Sequence, residues 1–399
     1  MNMQMLKTEL FKIFSKKLIW ISMFLFLALF SVLKIQWYDD TGVKYTLEPV
    51  REELTSAVNN ESFHNFVRDS DYSCSLDEME KYIPTAVFDY IEQFHGNEKI
   101  THSLRSDLRN IICNYYERID VRNNLIAELQ EEVSTSEQNT LLRAKKILLH
   151  EYQTSKVLIE LNLESSANNF IDINHSFVFP GLIMLIIIVG LAGIYSDEYS
   201  FGTQSALLTA KKGRNGVFIS KLLTMIIYVV CVVVIMEAIF FVVTAICYHA
   251  PRSTISAAST YGLSLTTYEG SVFGFCMRQV AGTLLAGLTL GSIVMCISAY
   301  SKNALIPFFA AGLYYGGTAF YANAINFPQY LSILISLPGE LSLFMLQTQI
   351  ELVASGHYTN VFGLIIPTLT VNLIFNVGIM LVCLVLCYRA YTRKQVKDL

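Results

Sequence analysis

Side chains able to carry chemistry are concentrated in two parts of this sequence of 399 residues. The first is a short polar stretch from Tyr195 to Lys221, which lies between two long apolar runs and has acids at its start and bases at its end. The second is a set of polar side chains within or next to apolar runs: Glu237, Arg278, Glu340, Asn372 and Asn376. Because a charged group inside a bilayer is costly, such residues usually face a partner or a polar path. We therefore interpret this set as a candidate substrate path or gate, with an ion pair between Glu237 and Arg278, and the two asparagines as helix-to-helix hydrogen-bonding groups.

Motifs for catalysis are missing. The sequence has no Gly-x-x-x-x-Gly-Lys-Ser/Thr phosphate loop and no Gly-x-Ser-x-Gly turn. The pair Glu52-Glu53 lacks the further His or Asn spacing of an intramembrane protease. The seven histidines show no metal-ligand spacing such as His-Glu-x-x-His. We expect no catalytic residues, no metal site and no cofactor in this chain.

The elements that must position these residues are membrane helices. The chain is 53% hydrophobic and 16% charged, whereas soluble domains are about 25% charged. A bilayer-spanning helix needs about 20 mostly apolar residues. Six runs meet this criterion, the one from 304 to 324 being rich in small residues that favour close helix packing: 18–35, 177–195, 217–247, 280–300, 304–324 and 362–388.

Orientation follows from the basic residues of the short connecting segments. With six spans, 13 Lys and Arg residues lie on the side of both termini, whereas the opposite short segments hold only Lys34, Arg252 and Arg278. Both termini are therefore expected to be cytoplasmic, and the plasma membrane is the expected location. No basic stripe lies on a soluble face, so nucleic-acid binding is not expected.

A long segment between the first two spans predicts an extracellular domain at 38–172. It holds 25 acidic and 13 basic residues, a net charge of −12. Apolar residues at 104, 108, 111 and 115 and at 141, 148, 152, 159 and 163 follow helical spacing, so the second half predicts an antiparallel helical hairpin. A break is expected at Ser134-Thr135-Ser136, and the first half, to about Ile100, is expected to be less regular.

A second apolar segment, 329–346, contests the span count. It is broken by Pro338-Gly339 and carries Glu340. If it crossed the membrane, the basic C-terminal tail would lie outside. We favour a re-entrant hairpin over 327–360 that dips into the outer leaflet, since irregular backbone is tolerated there only against protein or a water-lined cavity.

The N-terminal segment, 1–17, predicts an amphipathic helix that lies flat in the membrane interface. It precedes the first transmembrane helix, 18–37, and the remaining spans fall within 173–399. Its apolar and polar faces are Leu6, Leu10, Ile13 and Phe14 against Lys7, Glu9 and Lys12.

The polar stretch after the second span resembles the first cytoplasmic loop of type-2 ATP-binding-cassette (ABC) exporter permeases. That loop tends to read acid, Gly-Thr, Leu-Leu, a small break, Arg and Lys. The matching residues here are Glu198, Gly202-Thr203, Leu207-Leu208, Lys212-Gly213, Arg214 and Lys221. The candidate coupling residues lie in the loop at 196–216: Asp197, Glu198, Gly202, Thr203, Leu207, Leu208 and Arg214. Six spans, an N-terminal elbow helix and a re-entrant hairpin are also similar to that family's layout.

The resemblance implies an all-α polytopic permease subunit that moves a substrate using ATP hydrolysed by a separate ABC ATPase. The loop would be the coupling helix that docks on this ATPase, which would hold the ATP and magnesium. A working unit would contain a second permease chain, either a copy or a homologue. Independently of the family, exposed leucines on a short loop favour a protein partner.

Four cysteines are candidates for two disulfides if their side of the membrane is oxidising. The pairs are Cys74 with Cys113 in the long segment, and Cys247 with Cys276 at the outer ends of adjacent spans. Sequence does not fix their geometry.

An alternative function is a membrane receptor or sensor, or an immunity protein, that binds an external ligand through the acidic domain. A surface with a net charge of −12 would attract cations at low salt. A sensor, however, normally needs a cytoplasmic output domain, and the longest predicted cytoplasmic segment has only about 20 residues.

Overall fold

The computed structural model describes residues 3–41, 47–94, 98–135, 140–163, 171, 178–200, 202, 213–248, 255–260, 262–324, 340–349, 353 and 357–393. These residues are mostly helical. The helices are α1 (Met3–Phe14), α2 (Lys17–Thr41), α3 (Arg51–Val58), α4 (Glu61–Asp69), α5 (Leu76–Met79), α6 (Thr85–Glu92), α7 (Glu98–Thr135), α8 (Thr140–Thr154), α9 (Val178–Leu191), α10 (Ser196–Ser200), α11 (Gly213–Tyr248), α12 (Val272–Tyr300), α13 (Leu305–Ala324), α14 (Leu343–Thr348) and α15 (Thr368–Arg393). A β-hairpin is formed by β1 (Tyr358–Val361) and β2 (Leu364–Pro367).

Within the described residues, four helical stretches are long and apolar enough to cross a membrane: 178–200, 215–246, 272–300 and 368–390. A bent pair, α1 with α2, gives a fifth if it is counted as one span, and its two parts meet at 52°. The chain is therefore a polytopic, mostly helical membrane protein. The helix α13 has 20 residues but, with its Gly and Tyr content, it is less apolar than those four.

The helix α12 lies at the centre of the bundle, where it packs against α9, α11, α13, α14 and α15. Its buried face is built largely from Gly, Ala, Ser and Thr. Small residues let neighbouring backbones approach closely in a membrane, where packing rather than the hydrophobic effect holds helices together. The surrounding core is formed by large apolar side chains of α9 and α11, such as Ile187, Tyr228 and Val233.

A separate hydrophobic core lies in the region between α2 and α9. Its members come from α3–α6 and from the first half of α7, with Phe63, Met79 and Leu108 fully buried. The first half of this region is therefore regular and helical, contrary to the prediction. Its helices have only four to nine residues, which is too short for a periodic pattern to stand out.

The helical hairpin is confirmed in α7 and α8, which are separated by the four residues 136–139. The predicted faces need correction. In α7 the buried positions are Leu104, Leu108, Ile112 and Tyr116, whereas Ile111 and Tyr115 are only half-buried. In α8 Leu141 is exposed, and 159 and 163 lie beyond the helix, which ends at Thr154. Ser136 and Glu137, which lie between α7 and α8, are outside the described residues.

The β-hairpin was not predicted. It occupies the start of the run assigned to the last span, so that span begins at Thr368 and not at residue 362. The two-residue loop Phe362-Gly363 reverses the chain with φ of +51° and +90°. The sequence Leu364-Ile-Ile-Pro367 is equally apolar in a strand or in a membrane helix, so hydropathy did not distinguish the two.

Contacts separate the two ends of the bundle. At one end lie α1, α10 and the first turns of α11, and Tyr388 of α15 donates a hydrogen bond there to Asn215 Oδ1 at 3.2 Å. At the other end, α7 and α8 contact the loop between α11 and α12 (255–269, the strap loop), and Tyr358 and Ile365 of the hairpin pack against them. We name these the basic end and the domain end.

Candidate functional site

A group of four charged residues, three of them buried, lies at the basic end of the bundle. This ion cluster consists of Glu9 and Lys12 from α1, Glu198 from α10 and Lys221 from α11. Lys221 Nζ lies 2.9 Å from Glu9 Oε2 and 2.7 Å from Glu198 Oε1. Lys12 Nζ lies 2.7 Å from Glu9 Oε1 and 3.4 Å from Glu198 Oε1. The four charges alternate in sign and balance, so three separate elements are held by one set of ion pairs.

Burial makes these pairs stronger than surface ion pairs. Lys221 is only 1% exposed, and Glu9 and Glu198 are also buried. The Lys221 ammonium additionally donates to the carbonyl of Ile194 and lies 5.0 Å from the ring centre of Tyr195. Removing one partner of a buried pair strands the other charge and costs about 3–5 kcal/mol.

The turn before α10 is fixed to α12 by neutral hydrogen bonds. The amides of Tyr195 and Ser196 each donate to Ser298 Oγ at 3.1 Å, and Ser298 Oγ donates to the carbonyl of Ala192 at 3.0 Å. Lys16 extends the charge network at the surface, with its Nζ 3.2 Å from Asp197 Oδ2. The start of the candidate coupling loop is thus attached to α1, α11 and α12 at once.

The residues predicted to couple to a partner fall into three groups. Glu198 points inward into the ion cluster, and Asp197 is partly exposed beside Lys16. Gly202, the glycine of the Gly-Thr pair, has a φ of +66°, a left-handed conformation that glycine adopts freely. Thr203, Leu207 and Leu208 lie outside the described residues, as does the side chain of Arg214 in the first turn of α11.

Glu9 also differs from the prediction. It was assigned to the water-facing side of α1, but its side chain lies on the buried side with Leu6 and Ile13. The reason is Lys221, a residue far along the chain whose charge attracts the carboxylate inward. Residues Leu10 and Phe14 are half-buried.

A second polar group lies towards the domain end and surrounds the buried segment, which we define as residues 340–349. Asn372 Nδ2 donates to the carbonyls of Glu340 at 2.6 Å and Ser342 at 3.2 Å. Asn376 Nδ2 donates to the carbonyl of Leu341 at 3.2 Å and to Asn372 Oδ1 at 2.8 Å. The two asparagines of α15 therefore donate across to backbone carbonyls of residues 340–342, and the carbonyl of Ser342 also accepts from the amide of Leu346 at 3.2 Å.

The other side of the buried segment is held by α12 and α13. Gln279 Nε2 donates to the carbonyl of Thr348 at 2.8 Å, and Tyr315 Oη donates to Gln347 Oε1 at 2.7 Å. Gly282 permits this approach, because a Cβ at that position would lie 2.2 Å from the carbonyl oxygen of Leu346. We call these amide and hydroxyl contacts, together with those of Asn372 and Asn376, the amide clasp.

Arg278 and Glu237 have different neighbours from those predicted. Arg278 Nε donates to Gln349 Oε1 at 2.9 Å, and its guanidinium lies 5.5 Å from the ring centre of Tyr268. Glu237 acts electrostatically on Cys276 of α12. An ion pair of Arg278 with Glu237 was predicted. Among the described side chains, it is Gln349 that binds the Arg278 guanidinium.

Gln349 ends α14 in a left-handed conformation, with a φ of +55°. Its side chain both accepts from Arg278 Nε and donates to the carbonyl of Arg278 at 3.1 Å. Sequence reasoning missed Gln279, Gln347 and Gln349. The available signal was the presence of three amides next to apolar runs, where an unpaired amide is costly.

Two of the candidate disulfide residues lie together in the domain core. Cys74 and Cys113 are both buried free thiols, close enough to interact electrostatically. Burial, with the adjacent Cys74, raises the pKa of Cys113 to about 12. Arg109, one turn before Cys113, donates to the carbonyl of Cys74 at 2.7 Å. The disulfide stays a prediction, and so does that of Cys247 with Cys276, since the side chain of Cys247 lies outside the described residues.

The strap loop joins the helical domain to the buried segment. Arg122 of α7 is buried and donates to the carbonyls of Thr266 at 2.8 Å and Ser264 at 3.3 Å. Burial lowers the pKa of Arg122. Thr266 Oγ1 in turn donates to the carbonyl of Val353 at 3.1 Å, close beyond the buried segment. A continuous set of contacts therefore runs from the domain to the amide clasp.

Comparison with protein-family models, curated proteins and solved structures finds no match to this chain.

Proposed function

We propose that this chain is the membrane-spanning subunit of an ABC exporter, which moves a substrate across the membrane with energy from a separate ATPase subunit. The ion cluster carries the proposal. It ties α1, the start of the 196–214 segment and α11 together, so a pull on that segment would move α1 and α11 as one body. This chain has no nucleotide-binding motif, so the force would come from another protein. A rigid group of helices would be needed to transmit that force into the membrane.

The proposed topology has six crossings: α2, α9, α11, α12, α13 and α15. It is supported by the segregation of contacts between the two ends, because each of these helices joins a segment at one end to a segment at the other. The basic end would face the cytoplasm by the distribution of Lys and Arg. In this topology α1 is the elbow helix in the membrane interface and residues 47–163 form the extracellular domain.

The buried segment would enter and leave the membrane from the domain end. Support comes from its neighbours, since Gln279 and Asn372 lie within the first two turns or so of α12 and α15, counted from their domain-side ends. Val353, just after it, is bound to the strap loop. A re-entrant segment at this position would close a path from the outside.

The docking claim is tested with the full-length chain, co-expressed and reconstituted with an ABC ATPase that co-purifies with the wild-type chain. Leu207→Asp with Leu208→Asp should abolish co-purification of the ATPase and its stimulation by the permease. The matched control is Thr8→Asp with Asn303→Asp, two exposed polar positions outside the proposed crossings. Wild-type affinity in the 207/208 variant, or equal loss in both variants, would contradict docking on this loop.

A receptor or immunity protein is the second candidate. The observation that favours it is the set of contacts from Arg122 through Thr266 to Val353, which links an acidic domain to a segment inside the bundle. A receptor of this kind would bind its ligand without any ATPase. Ligand-dependent protection of the domain in the absence of ATP, with no ATP-driven transport in vesicles holding both subunits, would favour it over the exporter.

A further inference from the structure

The β-hairpin carries apolar residues where a hairpin in water carries polar ones. A two-residue hairpin loop with positive φ at both positions strongly prefers Asn-Gly or Asp-Gly. Here the loop is Phe362-Gly363, and Phe362 has a φ of +51°. A bulky residue in this conformation is an outlier that costs about 1–3 kcal/mol. Its aromatic ring is nevertheless fully exposed, at 105% of its reference area, so no contact among the described residues accounts for its presence.

The two faces of the hairpin have different surroundings. Side chains alternate along a strand and cross-strand partners share a face. Tyr358 and Ile365 lie on one face and pack against α7 and α8 of the helical domain. The opposite face carries Thr359, Val361, Leu364 and Ile366. Thr359 is buried, Val361 and Ile366 are half-buried, and Leu364 is 68% exposed. On this face the exposed apolar surface therefore lies towards the tip of the hairpin.

The hairpin is rigidly mounted on a membrane span. Its last strand runs directly into α15, and the amide of Thr368 donates to the carbonyl of His357 at 2.9 Å. Thr359 Oγ1 and Thr368 Oγ1 are hydrogen-bonded at 3.0 Å. The exposed apolar surface of α15 begins with Leu373, Ile374 and Phe375. The apolar hairpin face is therefore continuous along the chain with a helix surface that meets lipid.

The absence of charged residues around the hairpin favours a lipid surface over a partner site that faces water. No Asp, Glu, Lys or Arg occurs between Leu352 and Tyr388. Within a strand of four residues at about 3.3 Å each, the tip reaches about 13 Å from the start of α15. This is comparable with the depth of the headgroup region and upper acyl chains of one leaflet.

We propose that the hairpin tip, Phe362 to Leu364, together with the face formed by Val361 and Ile366, is a membrane anchor that inserts into the headgroup–acyl boundary of the leaflet at the domain end. Its ligand is the bilayer itself. The anchor would fix the orientation of the hairpin, and with it the domain that packs on the other face, relative to the membrane plane. The inference depends on the chain being a membrane protein and is independent of the exporter assignment.

The test uses the full-length chain in lipid nanodiscs, with Trp20 and Trp37, the only tryptophans, replaced by Phe. Phe362→Trp and Leu364→Trp are each examined as the sole tryptophan, and Thr55→Trp on the exposed side of α3 is the water-facing control. Both hairpin tryptophans should emit at shorter wavelength than the tryptophan at position 55, because their surroundings are apolar. Lipids with a quencher on a shallow acyl position should reduce the intensity of both. Thr55→Trp should respond to aqueous iodide instead.

Two results would overturn the anchor. Hairpin tryptophans with the emission and iodide quenching of position 55 would show that the tip lies in water. Tryptophans shielded from both iodide and lipid quencher would show that a protein surface, such as a second copy of the chain, covers the tip. The two hairpin positions are read separately, so a folding defect in one variant leaves the other as a test.

Discussion

The ion cluster and the amide clasp hold the two ends of the bundle by different chemistry. At the basic end, four charges of alternating sign lock α1, α10 and α11 together, with Lys221 at the centre. At the domain end, the buried segment is held by neutral amides and hydroxyls, such as Asn372 and Gln279. Hydrogen bonds between membrane helices contribute about 0.6 kcal/mol each on average, whereas breaking a buried ion pair costs about 3–5 kcal/mol.

This difference indicates which end moves as a unit and which can rearrange. A charge pulled out of the ion cluster leaves its partner stranded in a buried site, so the cluster resists separation. Amide donors can exchange one carbonyl for another at small cost, so the clasp can release and rebind the buried segment. Force applied at the basic end would then be transmitted rigidly and expressed as rearrangement at the domain end.

The largest effect is expected from Lys221→Met. The substitution leaves Glu9 and Glu198 buried with only Lys12 nearby, and the free energy of unfolding should fall by about 3–5 kcal/mol. Lys16→Met is the matched control, because its ion pair with Asp197 is partly exposed and such pairs contribute about 1 kcal/mol or less. Thermal unfolding of the purified chain in detergent compares the two.

Adding Glu9→Gln and Glu198→Gln to Lys221→Met should restore part of the lost stability, because no buried charge is then left unpaired. Lys12 also loses its partners, but its side chain is 47% exposed and water can solvate its charge. Equal unfolding midpoints for Lys221→Met and Lys16→Met would show that the cluster is not the rigid element of this comparison.

The oxidation state of Cys74 and Cys113 tests this comparison, because it shows whether the domain end lies in an oxidising compartment. If the domain end is outside, the two thiols should lose two protons and two electrons to a disulfide-donating oxidant and form a disulfide. Closing this loop should stabilise the domain by about 2–4 kcal/mol. Peptide mapping without reduction is the measurement. Cys296 and Cys383, neighbouring thiols on α12 and α15 inside the bundle, serve as the thiol pair expected to stay reduced.

Free, alkylatable Cys74 and Cys113 in protein isolated under denaturing, thiol-blocking conditions would contradict this expectation. The high pKa of Cys113 also predicts slow alkylation in the folded reduced domain, since only the thiolate reacts.

A smaller loss is expected from Asn372→Leu in the amide clasp. The carbonyl of Glu340 would lose the Asn372 donor, and that of Ser342 would keep only the amide of Leu346. Losing a donor to a buried carbonyl costs about 1–3 kcal/mol. Thr370→Leu, an exposed position on the same helix, is the control and should be nearly neutral. Unfolding midpoints of the two variants are compared, and a loss as large as that of Lys221→Met would remove the proposed contrast between the ends.

The smallest effect is expected from Arg122→Lys at the strap loop. Lysine lacks the planar fork whose Nη1 donates to the carbonyls of Ser264 and Thr266 and whose Nη2 donates to Ser155 Oγ. We therefore expect a loss of about 1 kcal/mol, typical of a hydrogen bond. Arg105→Lys, whose ion pair with Asp77 is exposed, should leave the domain unchanged. Proteolysis of the strap loop measures the difference, and indistinguishable digestion rates would argue against the domain-to-segment link.

Much of the helical architecture could be predicted from apolar runs and basic flanks, and the interiors of α9, α11 and α12 agree with the predicted spans. Element ends were harder. The β-hairpin was hidden because Leu364-Ile-Ile-Pro367 continues the hydropathy of the helix that follows. In α7 the buried face was displaced from Ile111 to Ile112, since Ile-Ile pairs give two faces of equal apolarity.

The candidate site was predicted by residue type but not by pairing. Glu198 and Lys221 were both recognised in the polar stretch, yet nothing in their spacing indicates that they bind each other together with Glu9, which is 212 residues from Lys221. The asparagines of α15 were assigned correctly because an amide in an apolar helix needs a partner. Their partners are backbone carbonyls of residues 340–342, and every residue type has such a carbonyl, so no side chain in the sequence indicates them.

The most direct test of the account is the side of the membrane on which the 196–214 segment lies. In a variant without native cysteines, Lys211→Cys and Leu158→Cys are each labelled with a membrane-impermeant maleimide in right-side-out and inverted vesicles. We expect Lys211→Cys to react only in inverted vesicles and Leu158→Cys, an exposed position of the helical domain, only in right-side-out ones. Labelling of Lys211→Cys from the outside would contradict docking of a cytoplasmic ATPase and with it the proposed exporter function.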